Sequence, residues 1–165
     1  SVPSGISWRR HSAELRSLLL DADDRFRIAA PYFTPAESIV DDIASLPNRG
    51  VDTRVLTREI RTNESTVEAL GRIHDAVDPS NQENLRFRDL YEVDAVSGAQ
   101  EYATHAKAIV SDDVVCYLGS ANLTSTSLGS NFELGVVLTG DAVETVSVIY
   151  DAVFDVASPV EPDSC

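Results

Sequence analysis

Methionine is absent from this chain of 165 residues, lysine and tryptophan occur once each, and cysteine twice. Two cysteines, Cys116 inside an apolar run and Cys165 at the very end, exclude a disulfide framework and any C-x-x-C metal spacing. Cys116 reads as a buried thiol and Cys165 as an unpaired one in the tail. No run of about eighteen apolar residues offers a membrane-spanning helix, and no signal-peptide pattern is present. A soluble, cytoplasmic protein is expected. With no methionine even at position 1, the chain is expected to be a domain cut from a longer polypeptide, or a processed product.

Positive charge is scarce as well. Thirteen Lys and Arg against 27 Asp and Glu leave a formal net charge of −14, which by itself argues against a polyanionic ligand, because phosphate binding needs a basic surface. The kind of base qualifies that argument. Twelve of the thirteen are arginine, and the one lysine is Lys107. A surface filled with carboxylates and almost emptied of lysine is the pattern expected of an extreme halophile, since at molar salt the Debye length falls to about 3 Å and acidic self-repulsion is screened. The net charge then reports the solvent and not the ligand. On this reading the fold weakens as KCl is lowered below about molar. A melting temperature that stays flat or rises on desalting would return the acidity as an argument against nucleic acid.

Periodicity divides the chain into a Pro/Gly/Ser-rich linker (1–7), one domain (8–157) and a frayed tail (158–165). Leu15, Leu18, Leu19 and Ala22 stripe a first helix capped by Ser12, and residues 25–33 form a strand. Thr34 to Glu37 is a capping box with Pro35 at the first helical position, ahead of Ile39, Val40 and Ile43. A strand over 51–57 follows, then a second capping box from Ser65 to Glu68 with Val67, Leu70, Ile73 and Val77 at helical spacing. Residues 79–83 read as loop, 85–90 as a short strand and 92–102 as irregular. After Gly140 a last helix, with Asp141 and Glu144 as its capping pair, turns Val146, Tyr150, Val153 and Phe154 inward. The order predicts an α/β fold, a mixed β-sheet flanked by helices on both faces.

The chemistry concentrates between Thr104 and Leu138. His105 and Lys107 are two apart in an apolar run, so on a strand they share a face. Ser111, Asp112 and Asp113 are a turn signal, and Val114 to Leu118 is a second run, so a hairpin returns Ser120 to His105 with Asn122 just beyond. A third run, 132–138, is expected as a strand covered on both faces, in which the single charge, Glu133, needs a partner. Such a set suits a reaction in which Lys and Asn hold a phosphate oxyanion while histidine attacks phosphorus. No metal-ligand pattern is found among the acidic residues.

The pattern H-x-K-x4-D-x6-G-S-x-N, here His105, Lys107, Asp112, Gly119, Ser120 and Asn122, resembles the signature of the phospholipase D superfamily. Glu133 falls where its members carry a downstream acid, and A-P-Y-F (30–33) and G-V-D-T-R-V-L-T (50–57) are weaker upstream echoes. The resemblance implies an α/β/α sandwich and metal-independent phosphodiester cleavage without a cofactor. By the same resemblance His105 is the nucleophile, Lys107 and Asn122 hold the non-bridging oxygens, Ser120 assists and Glu133 orients the imidazole. Asp112 belongs to the motif, yet it sits in a turn that favours Asp for its own backbone hydrogen bonds.

The mechanism implied needs a second histidine, and neither His11 nor His74 lies in an H-x-K, so a homodimer or a second motif in a parent polypeptide is expected. A short, single-motif chain resembles the small endonuclease branch, which makes DNA or RNA the expected substrate. Phospholipid is the alternative, and a non-catalytic sensor or nucleic-acid-binding module is the rival from another class. Tyr32, at a strand end, and Arg58 and Arg61, clustered with Arg54, are candidate substrate contacts. A Ser-His-Asp hydrolase is disfavoured because G-S-A-N is not the G-x-S-x-G elbow.

Overall fold

The computed structural model describes residues 11–60, 63–129 and 131–161. Helix α1 (His11–Asp21) leads to β1 (Arg25–Ala29), α2 (Glu37–Asn48), β2 (Asp52–Thr57) and α3 (Glu64–Asp75). A 3-10 turn (Pro79–Asn84) precedes β3 (Leu85–Asp89), and a small ribbon of β4 (Tyr91–Val93) and β5 (Gln100–Ala103) follows. Then come β6 (Ala108–Ser111), β7 (Val115–Gly119), α4 (Ser125–Gly129), β8 (Gly135–Thr139), α5 (Asp141–Val156) and β9 (Ser158–Val160). Seven strands form one sheet in the order β8-β7-β6-β1-β2-β3-β9. Strands β1, β2 and β3 run parallel, as their α2 and α3 crossovers require, while β6, β7, β8 and β9 are antiparallel to their neighbours. The mixed sheet with helices on both faces is therefore present.

Alternation along the strands sorts the two faces. Phe26, Ile28, Val55, Phe87 and Ile109 meet Leu15 and Leu19 of α1, Val40 and Ile43 of α2 and Leu70 and Ile73 of α3. The other face is more polar than the sequence suggests. Ala29 and Leu56 pack on Tyr150 and Phe154 of α5, but beside them Arg27, 1% exposed, donates from Nε and Nη2 to Asp151 (2.8 and 2.7 Å) and from Nη1 to Asp113 (2.6 Å). Arg54 reaches the same Asp151 (3.0 Å) and Asp52 (3.2 Å). Arg88 donates to the carbonyls of Phe154 and Asp155 at the end of α5 (2.7 and 2.8 Å), with its guanidinium 4.9 Å from the Phe154 ring centroid. Arg54, grouped by sequence with the phosphate-tracking arginines, is consumed in holding α5 to the sheet.

Several local expectations give way to tertiary contacts. The tail is not frayed at 158–160, because β9 pairs with β3 and closes that edge. Neither capping box forms as read. Thr34 Oγ1 instead accepts from the Ser125 amide (3.0 Å), and α2 begins after Ala36 without a side-chain cap. Helix α3 is capped by Asn63, which accepts from the Thr66 amide (3.0 Å), while Ser65 donates to the Phe33 carbonyl (3.2 Å). Gly140 starts α5 with no side-chain cap, although Asp141 and Glu144 do occupy its first turn. Strand β1 ends at Ala29, and Phe33 bridges to Leu123. The irregular stretch 92–102 is largely the β4–β5 ribbon. Strand β8 is a sheet edge and not a covered strand, with Val136 and Val137 exposed.

Candidate active site

The motif occupies both ends of the β6–β7 hairpin. At one end, in the three-residue loop between paired Ser111 and Val115, Asp112 and Asp113 both adopt positive φ, 52° and 57°, a left-handed conformation that Asp tolerates. The Asp112 carboxylate there accepts the amides of Asp23, Asp24 and Arg25 (3.0, 2.9 and 2.8 Å), tying the turn to the start of β1. Asp112 is thus a clamp at the far end of the hairpin from His105.

Burial pushes the Asp112 carboxyl up, but the three amides outweigh it and hold it below the usual aspartate range. A depressed folded value means stability that is present above about pH 4 and lost as pH falls through the folded value. Asp112→Ala is expected to cost about 1.5–3 kcal/mol at neutral pH, a deficit that shrinks on acidification. Denaturant titrations of both proteins at pH 7 and pH 3 check it, and equal stability at pH 7 would refute the clamp.

At the other end of the hairpin Ala108 pairs with Leu118, and the Gly119 amide donates to the Lys107 carbonyl (3.1 Å). This register sets G-S beside H-x-K. His105 and Lys107 lie just ahead of β6, not in a strand as read. The Lys107 ammonium sits 3.1 Å from His105 Nδ1 and 3.3 Å from Nε2, and donates to the His105 carbonyl (3.1 Å). Burial pushes that ammonium below the usual lysine range, and the charge of Glu133 works in the opposite direction.

Glu133 lies in the lead-in to β8. Its Oε2 accepts the Ser120 hydroxyl, and Asn131 Nδ2 donates to its Oε1 (3.4 Å). Ser120 is further locked by the Leu134 amide, which donates to its Oγ (3.1 Å), and by its own amide, which donates to the Leu134 carbonyl (3.0 Å). The structure therefore places Glu133 on Ser120, with its charge felt at Lys107. The Asn122 Oδ1 atom is buried without a hydrogen-bond partner among the described residues; that oxygen can only accept, so a phosphate oxygen would have to be met by the Nδ2 donor instead.

The weaker candidates divide. Tyr32 is half-buried in the loop after β1, and Arg58 directly follows β2, both at the carboxyl ends of parallel strands. Arg58 bonds Gln100 and lies 5.7 Å from the Tyr91 ring centroid, so it braces the β4–β5 ribbon. Arg61 lies outside the described residues. Cys116 is buried, its thiol pushed up to about 11 by burial, and takes no part in the site. The Tyr117 ring packs against Gly119 and Gly135, where a Cβ would overlap it. Among the described residues no three His, Cys, Asp or Glu side chains gather as a metal-ligand set, and no helix is long and apolar enough to cross a membrane.

Comparison with known proteins agrees with this geometry. The family described as cardiolipin synthase, PLD-like domain, matches residues 15–155. Cardiolipin synthase A of Pseudomonas syringae pv. syringae (strain B728a) is 31% identical over 127 residues, which cover 73% of this chain and 22% of that protein. The chain thus spans less than a quarter of that relative's length. The structure resembles Nuc, a phospholipase D family member from Salmonella typhimurium, with a TM-score of 0.73 at 21% identity, covering 91% of this chain and 90% of that one. It also resembles the phosphatidylserine synthase of Haemophilus influenzae Rd KW20, with a TM-score of 0.70 at 15% identity, covering 93% of this chain and 38% of that one. With the motif, the sheet and the family match in agreement, the chain belongs to the phospholipase D superfamily, in its cardiolipin synthase, PLD-like domain family.

Proposed function

We propose that this chain is a phosphodiesterase that works through a phosphohistidine at His105, and that its substrate is a nucleic acid. The observation that carries the reading is the contact of the Lys107 ammonium with an exposed His105 at the end of the hairpin that also leads into Ser120 and Asn122. A phosphodiester entering here draws the ammonium off the imidazole onto a non-bridging oxygen, with Asn122 on the other, and frees the ring to attack. The P–N bond forms as the P–O bond to the leaving group breaks, and a second histidine protonates that oxygen. Water, deprotonated by the same second histidine, then attacks phosphorus and breaks the P–N bond. Glu133 and Ser120 fix the wall of the site opposite the lysine, and a role for Glu133 in orienting His105 belongs to the same proposal.

The second histidine comes from a second copy of the chain or from a second motif in a parent polypeptide. An open sheet edge supports self-association, because β8 and its lead-in expose Phe132 (77%), Leu134 (71%), Val136 and Val137 next to Glu133, and unprotected apolar edges are templates for pairing. An isologous two-fold contact is the simplest closed arrangement. Nucleic acid is favoured by the likeness to Nuc, which is matched over 91% of this chain and 90% of that one. Phospholipid is the second reading, carried by the family description and by the cardiolipin synthase relative. A purely binding module would have no use for a lysine-paired nucleophile. Incubation at molar KCl with DNA, RNA and phosphatidylcholine side by side tests the proposal: cleavage of a nucleic acid is expected, cleavage of lipid alone selects the second reading, and cleavage of none rejects both.

A further inference from the structure

Every arginine among the described residues but one is consumed by the fold. Arg16, Arg25, Arg27, Arg54 and Arg86 pair with carboxylates, and Arg49, Arg72 and Arg88 donate to backbone carbonyls. Arg58 does neither among the described residues. Its Nη2 donates to the neutral amide oxygen of Gln100, and its guanidinium lies 5.7 Å from the Tyr91 ring centroid. With 27 Asp and Glu in the chain, a half-buried guanidinium that none of them neutralises needs a reason. The β4–β5 ribbon supplies part of it. A register shift between Glu92 and Val93 sets Val93 opposite Gln100, while Tyr91 stays opposite Ala103. Opposed residues share a face, as do strand residues two apart, so Tyr91 and Gln100 come to the same face. In unbroken register Val93 would oppose Glu101, and a carboxylate would stand where the amide does.

Arg58 also leaves the sheet at the end where the motif lies. Lys107 directly precedes Ala108, which opposes Ala29 of β1, which in turn opposes Leu56 of β2. Thr57 is therefore two strand spacings, about 10 Å, from Lys107, and Arg58 follows it on the carboxyl side of the parallel strands, where open α/β sheets place ligands. We propose that Arg58 binds a second phosphate of a nucleic-acid strand whose scissile phosphate lies at Lys107, so that the protein grips its substrate at two anions. This rests on reading the substrate as nucleic acid, since a molecule with a single phosphodiester has no group for Arg58 to hold. The planar fork, with donors left over from Gln100, suits a phosphate.

The test measures binding of short single-stranded DNA and RNA oligonucleotides by fluorescence anisotropy, and of inorganic phosphate by calorimetry, in the His105→Ala protein so that nothing is cleaved. Two further changes are added to it separately. Arg58→Gln removes the cation, and Gln100→Glu neutralises it with the carboxylate that the register shift keeps away, while leaving the ribbon braced. Each is expected to weaken oligonucleotide binding roughly 10-fold and inorganic phosphate, held at Lys107, by less than about 2-fold. In Arg58→Gln the slope of log affinity against log salt should fall by about 0.7, the share of one phosphate contact. A mere brace predicts otherwise, because Gln100→Glu would hold the ribbon more tightly and bind oligonucleotide undiminished. That result, an unchanged salt slope, or equal weakening of oligonucleotide and inorganic phosphate would overturn the proposal and leave the substrate reading standing. A protein that binds inorganic phosphate but neither oligonucleotide, with Arg58 and Gln100 intact, defeats both.

Discussion

Replacing His105 with alanine is expected to remove phosphodiester cleavage by more than about 10³-fold without unfolding the protein, and Lys107→Ala to do the same. The fold should tolerate both, because His105 is exposed and outside any strand, and Lys107 contributes its charge to the site and only its carbonyl to the hairpin register. EDTA should leave the wild type active, since the proposed chemistry forms and breaks a P–N bond with histidine and lysine alone. A requirement for a divalent ion would defeat the phosphohistidine route. Mixing adds a second readout. If each site takes one histidine from each of two subunits, an excess of His105→Ala subunits titrates wild-type activity away as mixed dimers form. A strictly monomeric protein, by light scattering at molar salt, that still cleaves would remove the shared site while leaving His105 as nucleophile.

What could be read from the sequence follows a physical division. The H-x-K, G-S-x-N and downstream acid were visible because their spacing is set by a tight hairpin, whose three-residue loop between Ser111 and Val115 leaves little freedom in register. The helices were visible because their apolar stripes repeat at 3.6 residues. What stayed hidden depends on partners distant in the chain. Thr34 and Ser65 look like helix caps, yet they bond Ser125 and Phe33. Pro159 is part of a strand only because β3 offers it an edge, and edge strands are where proline is admitted. Glu133 was expected beside the imidazole, and the structure shows its carboxylate accepting from Ser120 and Asn131, contacts that depend on how the lead-in to β8 bends.

The arginines hid best, because an arginine alternating with apolar residues reads as a solvated face. On β1 that alternation puts Arg27 under α5 instead, with 2% of its side chain exposed. Its guanidinium spans two elements that the chain separates widely, the hairpin turn through Asp113 and the middle of α5 through Asp151. Arg27→Ala leaves both carboxylates without their fork and opens a cavity between sheet and helix. Truncating one partner of a buried pair costs about 3–5 kcal/mol, and the lower end is expected because the Asp113 and Asp151 side chains are 42% and 32% exposed. At about 3 kcal/mol the melting temperature should drop by roughly 6–12 °C.

The loss should be pH-dependent in a fixed direction. Burial raises Asp151, but Arg27 and Arg54 more than offset it, so its folded value is depressed, and Asp113 is likewise held low. The stabilisation these pairs supply is therefore present above about pH 4 and lost as pH falls through the folded values. Wild type and Arg27→Ala should converge in stability on acidification. Arg27→Lys discriminates charge from geometry, because a point charge cannot serve Asp113 and Asp151 at once as the guanidinium fork does. It is expected to recover less than half of the loss. Full recovery by lysine would mean that a point charge suffices without the guanidinium fork, and a loss below about 1 kcal/mol in alanine that the buried arginine is incidental to the fold.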